Sequence, residues 1–312
     1  NKSKGTLVTG IPSKDVYTDD EFHEMIADFQ NWKKVRMIGS AAMASSYVAS
    51  GKAESYKENG IFLWDIAAGA AIVKAAHRQN YRVIIHCHNS QSEAQQLSDE
   101  LNQIRPHSAK VLIADLSVIN AKDRLNTFVK ASIGAFGQLD VLVHNASRFY
   151  PTPITSITSI DNEQWDELFL TNAKAPLILS QALLPYLQAQ QGCIISLLDI
   201  HAHNKPFKDY TVYNMAKAAQ RMMVQSLALD LAPSVRVNGV APGVNVLPET
   251  DSDQALEPTL QHSIVDSIPL QRIGKPEDIA HSVLYLIQAS YVTGQIIDVD
   301  GGRGLTLAGG KY

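Results

Sequence analysis

From residue 82 onward, the chain alternates short apolar runs with longer segments of helical periodicity. The apolar runs are rich in β-branched residues and read RVIIHC, AKVLIAD, LDVLVHNA, GCIISLL and VRVNGVAPG. The segments of helical period lie between them, at residues 91–104, 119–136, 163–189 and 213–231. This alternation predicts buried parallel strands joined by helices, which is a doubly wound α/β sheet. KPEDIAHSVLYLI predicts a last helix, with Pro276 suited to its first turn, before the strand GQIIDVDGG.

Residues 1–66 have a different pattern. GTLVTGIP and KVRMIG predict strands, DDEFHEMIADFQNWK predicts an amphipathic helix, and SAAMASSYVASG predicts a small-residue helix that ends at Gly51. No repeat or flexible linker is visible between this part and the rest, because the junction near residues 66–78 lies within a predicted helix. We therefore expect segments at residues 1–66, 67–307 and 308–312, of which the first two share structure.

Composition excludes several classes of protein. The 312 residues are 45% hydrophobic with a net charge of -4, which gives no general attraction to nucleic acid or acidic membranes. No apolar run has the length of a membrane span, and the polar start NKSKG does not resemble a signal peptide. Cys87 and Cys193 lie within apolar runs, so we expect neither a disulfide framework nor a cysteine metal site. A reducing, cytoplasmic location is predicted.

The segment YTVYNMAK places Tyr213 and Lys217 four positions apart, on one face of a predicted helix. There the ammonium group can lower the pKa of the phenol, which can then give a proton to a substrate while a hydride arrives. Such a pair by itself also fits a solvated helix face. Its surroundings favour chemistry, because four further polar or turn motifs accompany it in this part of the chain. These supply Asp199 after CIISLL, Asn172 in LTNAKAP, Asn145 in VLVHNAS, and Pro242 and Gly243 in VNGVAPG.

In this order and over about residues 67–307, these features resemble the short-chain dehydrogenase/reductase family. IIHCHNSQSEAQQLSDELN, NASRFYPTP, GVNVLPE and an aspartate at Asp199, where most relatives carry serine, resemble its pteridine reductase branch. The resemblance implies a Rossmann-like domain that reduces a small pterin-like molecule with NADPH. It also implies a homo-oligomer, with a tetramer built on the long helices.

The resemblance implies a role for each matching residue. Tyr213 would be the proton donor, Lys217 the ribose anchor, and Asp199 an acid relay toward the pterin. Asn172 would support a proton-relay water, and Phe149 would stack on the pterin ring. For Phe149 the alternative is an aromatic residue that simply covers the core after a strand.

The cofactor residues implied by the resemblance lie at the ends of the strands. The end of the predicted strand RVIIHC and the residues after it can donate hydrogen bonds to a 2′-phosphate, through His86, His88, Asn89 and Ser90. No aspartate is present at this strand end to bind a bare 2′-hydroxyl, which favours NADPH over NADH. Related sequences usually carry an arginine where Asn89 stands, so we expect reduced phosphate affinity. Asp115 and Leu116 would lie at the adenine edge, although Asp115 also fits an ordinary strand-end turn. Asn145, Ala146, Pro242 and Gly243 complete the implied cofactor site.

One expected motif is missing. Families of this kind begin with a strand that ends in a glycine-rich turn, whose backbone approaches the pyrophosphate at a helix N-terminus. When Gly69 is aligned with the last glycine of that turn, Phe62 and Leu63 stand where threonine and the first glycine should be. GTLVTG at residues 5–10 lies too far upstream to replace it.

Residues 4–75 instead resemble the C-terminal half of the inositol monophosphatase family, in TGIP, RMIGSAAMASSYVASG and YKENGIFLWDIAAGAAIV. The resemblance implies that Asp65 is a metal ligand and that Ala42 and Glu58 contact substrate. The carboxylate motifs that supply the other ligands have no match, and one carboxylate cannot build a two-metal site. We therefore predict no metal, and Asp65 as the N-cap of the following helix.

The tail AGGKY resembles the phosphatase continuation, which suggests a chimera, natural or engineered.

The phosphatase-like segment thus replaces the first strand and glycine-rich turn of the reductase. We predict that IFLW fills the place of the central strand and that Asp65 then opposes a bound pyrophosphate. The leading functional hypothesis is NADPH-dependent reduction of a pterin or a related carbonyl or imine. The alternatives are a catalytically inactive chimeric or designed scaffold and a magnesium-dependent phosphomonoesterase.

Overall fold

The structure of the protein, a computed structural model, describes most of the chain from Leu63 to Leu305 and three short strands before it, with side chains from Ala67 onward. The described residues are 6–9, 34–37, 55–57, 63–154, 162–203, 205–245 and 258–305. The two predicted helices before residue 52, the tail at 308–312, Ala42 and Glu58 lie outside these ranges.

The described strands form three sheets, and all of their pairings are parallel. In the first sheet, β1 (Thr6–Thr9) lies between β2 (Lys34–Met37) and β3 (Ser55–Lys57). In the second, β4 (Val83–Cys87) pairs with β5 (Ala109–Ile113). The third has the order β6 (Val141–His144), β7 (Cys193–Leu197), β8 (Arg236–Pro242) and β9 (Ile296–Val299). The predicted strands at 82–87, 109–115, 139–146, 192–198, 235–243 and 294–302 are all confirmed, as are those in GTLVTGIP and KVRMIG.

Eight α-helices occur in the described part of the chain. They are α1 (Leu63–Arg78), α2 (Gln91–Ile104), α3 (Lys122–Phe136), α4 (Asn162–Phe169), α5 (Ala175–Ala189), α6 (Thr211–Leu231), α7 (Pro258–Asp266) and α8 (Pro276–Gln288). The predicted unbroken helix at 163–189 is wrong, because a π-helical turn at Leu170–Lys174 divides it. None of the described helices is both long and apolar enough to cross a lipid bilayer.

The helix ends follow local sequence signals. α8 begins with Pro276 in its first turn, and the Asp278 carboxylate accepts a hydrogen bond from Lys275 N over 2.9 Å, as the sequence predicted for a helix start. α3 ends at Gly137, whose φ of 82° is left-handed and suits glycine. These signals set the lengths of the helices that cover the sheet.

The prediction that IFLW forms the central strand is wrong for Leu63 and Trp64, whereas Ile61 and Phe62 lie outside the described residues. Leu63 and Trp64 of IFLW are helical, and β3 pairs with β1 rather than with β4 or β6. Asp65 is therefore the third residue of α1, and its predicted role as N-cap is wrong. The alanine-rich segment that follows has a high helix propensity, which favours an earlier helix start. Among the described residues, no strand lies between β4 and β6, so each of these strands ends a sheet.

Helices cover both faces of the two-stranded β4–β5 and four-stranded β6–β9 sheets, which we call the small and large half-sheets. On one face, Ile72 of α1 shares a hydrophobic cluster with Ile195 of β7 and with Val283 and Leu286 of α8. On the other face, Phe128 of α3 shares a cluster with residues of β4, β5, β6 and α5. This three-layer arrangement is α/β with parallel sheets, as predicted.

Gly192 lies where backbones approach closely at the start of β7. A Cβ atom there would lie 2.3 Å from the carbonyl oxygen of Asp140, which cannot move without shifting the strand. We expect Gly192→Ala to lower the free energy of unfolding by about 1–3 kcal/mol through this overpacking. Gly134 in α3 is the matched control, because its Cβ would meet nothing within 4 Å. Gly134→Ala should raise stability by up to about 1 kcal/mol. Equal effects in urea denaturation would contradict the close approach.

His144 at the end of β6 should make stability depend on pH. Burial lowers the pKa of His144 to about 4, and its Nε2 lies 2.9 Å from Ser180 Oγ. The unfolded chain therefore takes up a proton first, and the free energy of unfolding falls as the pH drops from 6.5 toward 4. This histidine accounts for roughly 2 kcal/mol of loss between pH 7 and pH 5.

The check is urea denaturation of the wild type and of His144→Gln at both pH values. The variant should lose this part of the pH dependence, because glutamine does not titrate in the range. The pKa values of His77, His86 and His201 are also lowered by burial, so a residual dependence remains in the variant. An unchanged pH dependence would contradict the role of His144.

Candidate active site

Tyr213 and Lys217 lie on one face of α6, as their spacing predicted, and both are buried. Lys217 Nζ lies 6.0 Å from the centroid of the Tyr213 ring. The same ammonium donates hydrogen bonds to the carbonyl of Leu197, over 3.0 Å, and to Gln220 Oε1, over 3.3 Å. A buried cation is thus held beside the phenol by the end of β7, where it favours the charged form of a neighbouring acid.

Asp199 faces the hydroxyl group of Tyr213. Tyr213 Oη donates a hydrogen bond to Asp199 Oδ2 over 2.8 Å. The other carboxylate oxygen accepts a hydrogen bond from His201 N over 2.8 Å, which caps the short 3₁₀ helix Ile200–Ala202. The cap fixes the carboxylate at the end of β7, so the sequence-predicted pair of a tyrosine and an aspartate is brought together. A proton can move between these two groups along an existing hydrogen bond.

Asn172 lies in the π-helical turn between α4 and α5 and is fully buried. Its Oδ1 accepts hydrogen bonds from Ser147 Oγ, over 2.7 Å, and from Arg148 N, over 3.2 Å. Its Nδ2 donates to the carbonyl of Arg148 over 2.9 Å. The side chain therefore anchors the loop after β6, which carries Phe149. π-Helical turns are frequent at functional sites because they turn a side chain out of the regular helix.

An aromatic cluster adjoins Tyr213. The Phe149 ring stacks on Tyr210 at 4.5 Å with an interplanar angle of 15°, and it meets Tyr213 edge-on at 4.8 Å. Phe207 closes the cluster, with its ring 5.8 Å from Phe149. Aromatic side chains of this kind can bind a flat heteroaromatic ring by stacking. Phe149 was expected to stack on a ligand, whereas Tyr210 and Phe207 were not identified from the sequence.

His201 and Arg303 also lie close to Asp199, and sequence reasoning missed both. His201 Nδ1 donates a hydrogen bond to the carbonyl of Lys205. Burial lowers the pKa of His201, and the Asp199 carboxylate opposes this shift. Arg303 Nε donates a hydrogen bond to Ser267 Oγ over 3.0 Å. Burial lowers the pKa of Arg303 as well, against the opposite effect of Asp199 and Asp300. Arg303 is distant in sequence, and no motif pointed to it.

The residues after β4 and β5 form the region predicted to meet the adenosine end of a cofactor. His86 Nε2 donates a hydrogen bond to the carbonyl of Ala114 over 2.9 Å, so this histidine joins two strand ends. His88 Nε2 lies 3.8 Å from Asp115 Oδ2, and both groups are partly exposed. Asp115 also accepts a hydrogen bond from Ser117 N over 2.8 Å. The strand-end turn expected as an alternative for Asp115 is therefore present.

The remaining predicted residues lie at the ends of the same strands. Asn89 is exposed, and Ser90 precedes α2 without a side-chain cap. Leu116 begins a 3₁₀ turn and packs in the cluster around Phe128. Asn145 and Ala146 follow β6, Pro242 ends β8, and Gly243 follows β8. A Cβ atom on Gly243 would lie 2.6 Å from Asp300 Cβ, so this glycine permits close packing of the loops after β8 and β9.

The residues present fit a dinucleotide at one end and not at the other. Tyr213 and Lys217 fit the nicotinamide–ribose end, because both point to the end of β7. For the diphosphate, a helix must begin where the phosphate lies. Gly69 instead lies within α1, about 9 Å beyond its first residue. A Cβ atom at Gly69 would approach Asn145 Nδ2 to 2.9 Å, so this glycine serves helix packing. The diphosphate end does not fit.

Comparison with known families gives two matches. The model of the inositol monophosphatase family matches residues 2–77, at the N-terminal end of the chain. This agrees with the resemblance assigned to residues 4–75. Among the described residues, no group of three or more His, Cys, Asp or Glu side chains could hold a metal ion. The family match therefore supports the resemblance of this segment.

The second match covers about three quarters of the chain. The family model described as enoyl-(acyl carrier protein) reductase matches residues 66–303. Pteridine reductase 1 of Leishmania tarentolae is 34% identical over 276 residues, which cover 77% of this chain and 93% of the relative. An uncharacterized oxidoreductase, YmfI, of Bacillus subtilis is 32% identical over 238 residues, 75% of this chain and 93% of the relative. A 3-oxoacyl-[acyl-carrier-protein] reductase of Thermotoga maritima is 33% identical over 195 residues, 60% of this chain and 76% of the relative. The chain therefore belongs to the short-chain dehydrogenase/reductase family.

Proposed function

We propose that the protein is an NADPH-dependent reductase of a pterin or a related carbonyl or imine compound. The observation that carries this proposal is the hydrogen bond from Tyr213 Oη to Asp199 Oδ2, with the buried Lys217 ammonium beside the same ring. The similarity to pteridine reductase 1 of Leishmania tarentolae supports the choice of substrate. In this proposal Tyr213, Lys217, Asp199 and Asn172 are the catalytic residues.

The chain's own residues account for the proton in this reaction. NADPH, when bound, supplies the hydride. Tyr213 gives its hydroxyl proton to the nitrogen or oxygen atom of the reduced double bond, and the Lys217 ammonium stabilises the resulting phenolate. Asp199, at 2.8 Å from the phenol oxygen, is placed to return a proton to Tyr213. Asn172 acts by holding the loop at Arg148, and so the position of Phe149.

The aromatic cluster supports a flat, polar substrate. A pterin ring extends the stack of Phe149 and Tyr210, while its amide and amino groups face Asp199 and Tyr213. Such a site combines an apolar face with a few polar groups, which is typical of sites for small heteroaromatic molecules. In this proposal Phe149, Tyr213 and Asp199 bind the substrate.

The cofactor would lie across the ends of the strands of both half-sheets. Lys217, Asn145 and Ala146 would hold its nicotinamide half, with Pro242 and Gly243 behind them. The adenosine half would face residues after β4 and β5, namely His88, Asn89, Ser90, Asp115 and Leu116, and His86 would support this region through Ala114.

We propose that NADPH binds weakly, because the diphosphate lacks a helix N-terminus at Gly69 and Asp65 adds a like charge in the first turn of α1.

We also propose a homo-oligomer, with a tetramer as the assembly, in the cytoplasm. The long helices α5 and α6 expose several large apolar side chains, which favours their burial against another copy. These are Leu177 and Tyr186 of α5 and Met215, Met222 and Leu229 of α6. Nucleic acid and membrane are not expected partners for a chain with a net charge of -4.

A catalytically inactive chimera is the second candidate function. The observation in its favour is that no described strand lies between β4 and β6, where the phosphate-binding turn would begin. In this case residues 1–66 form a phosphatase-derived segment, residues 67–307 a reductase-derived domain, and 308–312 a tail. A magnesium-dependent phosphomonoesterase has no such supporting observation, since Asp65 alone cannot replace the other ligands.

The two candidates differ in cofactor binding and turnover. Titration of the protein with NADPH, followed by fluorescence, should show saturable binding, and addition of a pterin should then consume NADPH. Saturable binding with pterin-dependent oxidation supports the reductase. The absence of both at high cofactor concentration supports the inactive chimera.

Replacing Tyr213 should remove the proton donor without removing the stacked ring. We expect Tyr213→Phe to lower kcat by about 100-fold or more, with a small change in KM, because general acid catalysis contributes at least this factor. Tyr210→Phe is the matched control, since it removes a hydroxyl group from the same aromatic cluster and should retain most of the activity. Steady-state kinetics of both variants provide the measurement. Equal kcat for Tyr213→Phe and wild type would remove Tyr213 from the mechanism.

Asn89 offers a place to strengthen the binding of a 2′-phosphate. It is exposed and follows the pair formed by His88 and Asp115. We expect Asn89→Arg to tighten NADPH binding by about tenfold, or roughly 1.4 kcal/mol, because arginine binds a phosphate with two hydrogen bonds. NADH binding should not change, which provides the internal control. Equal tightening of both cofactors would place residue 89 away from the 2′-phosphate.

A further inference from the structure

Residues 205–210 lead into the start of α6, and we call them the Phe207 segment. Phe207 is half-buried and lies between two exposed residues, Pro206 and Lys208. Its ring contacts Phe149, the side chain proposed to stack on the substrate. The conformation of the Phe207 segment therefore affects the proposed pterin site.

Asn214 holds the backbone of Phe207 at two points. Asn214 Nδ2 donates a hydrogen bond to the carbonyl of Phe207 over 2.8 Å, and Asn214 Oδ1 accepts one from Phe207 N over 3.3 Å. One side-chain amide thus pairs with both backbone groups of the same residue, and we call this arrangement the amide clamp. Without it, both groups would need other partners, such as water.

The position of Asn214 in α6 is explained by the amide clamp. Asn214 directly follows Tyr213, and consecutive residues of a helix point about 100° apart, so Asn214 does not share the face of Tyr213 and Lys217. Asparagine is also a poorer helix former than alanine. The contribution of Asn214 to the fold therefore lies in its bonds to Phe207 and not in the helix itself.

The amide clamp helps to determine where the Phe207 ring lies. The centroid of this ring is 3.5 Å from that of His201 and 5.6 Å from that of Tyr210, and it meets Phe149 at 5.8 Å with an interplanar angle of 62°. Phe149 in turn stacks on Tyr210 and meets Tyr213 edge-on. A displacement of Phe207 removes one of the three rings that hold the Phe149 ring in place.

The groups proposed for proton transfer have bonds of their own. Asp199 accepts its hydrogen bond from Tyr213, and Lys217 donates one to the last carbonyl of β7. Neither bond involves Phe207 or Asn214. Loss of the amide clamp should therefore move the aromatic rings more than it changes the proton donor.

We infer that Asn214 is a positioning residue for the substrate: through the amide clamp it holds the Phe207 ring against Phe149, and so it fixes the aromatic wall on which a flat heteroaromatic substrate stacks. This inference rests on the proposed function as a pterin reductase. It adds to the site a residue that acts through another side chain.

The amide clamp can be tested without cofactor or substrate. Lys208 is exposed and directly follows Phe207, so trypsin can cleave after it when the Phe207 segment opens locally. Lys205 precedes Pro206, and a bond of this kind resists trypsin. We expect Asn214→Ala to speed cleavage after Lys208 at least about fivefold, because two hydrogen bonds that close the segment are lost. Mass spectrometry of the fragments gives the rate at this bond.

Two further variants provide the controls. Asn214→Asp keeps the size of the side chain but places an oxygen atom, in place of the Nδ2 donor, against the Phe207 carbonyl, so it should speed cleavage as well. Gln225→Ala changes an exposed amide of the same helix and should leave the rate unchanged. Since alanine is the better helix former, faster cleavage in Asn214→Ala cannot come from a weakened α6.

The role toward the substrate is measured by steady-state kinetics at saturating NADPH. Asn214→Ala should raise KM for the pterin about three- to tenfold, which is the range of an aromatic contact, and change kcat less than about twofold. In a Phe207→Ala background the same substitution should change KM less than about twofold, because the ring that it positions is absent. Titration of the pterin's own fluorescence should show the same ratios of Kd.

Three results would count against the inference, and each is distinct. An unchanged cleavage rate in both Asn214 variants would overturn the amide clamp, whether or not the protein is a reductase. Faster cleavage with unchanged KM and Kd, or a rise in KM that persists in the Phe207→Ala background, would overturn the positioning role. A wild type that neither binds nor reduces a pterin would refute the proposed function and with it the substrate role, while the cleavage rates still decide the clamp.

Discussion

The arrangement of the two half-sheets depends on the packing of α1 against both of them. In a continuous parallel sheet, hydrogen bonds between neighbouring strands fix the distance and register of every strand. Among the described residues, β4 and β6 are joined through apolar contacts with α1 and α3. Hydrophobic contacts are not directional, and here they stabilise the two half-sheets as one packed layer. The close approach of Gly69 to Asn145 is the point at which α1 meets the end of β6.

The candidate site has two parts, one on each half-sheet. The groups proposed for proton transfer surround β7, which is paired on both edges and buried throughout. Asp199 extends from the end of this strand, and Lys217 is bonded to its last carbonyl group. The adenosine end instead rests on the small half-sheet, at His88 and Asp115. A cofactor that spans both parts would need a defined distance between them.

The sequence predicted much of the fold and part of the site. The six strands from Val83 to Val299 follow from apolar runs and their spacing, and α2 agrees with its predicted range because its periodicity is unbroken. The break between α4 and α5 was missed, because a π-helical turn keeps apolar spacing close to that of a helix. Asn172 was a candidate residue from the sequence, yet its bonds to Ser147 and Arg148 depend on a loop distant in sequence.

By itself, the sequence determined the six strands from Val83 to Val299 and that Tyr213 and Lys217 share a face, because these properties depend on residues a few positions apart. It also showed that the glycine-rich turn is missing. Only the tertiary structure decided that His86 binds the carbonyl of Ala114 and that Arg303 lies near Asp199. Each of these contacts joins residues that are far apart in the chain, and the local periodicity of the sequence does not predict such contacts.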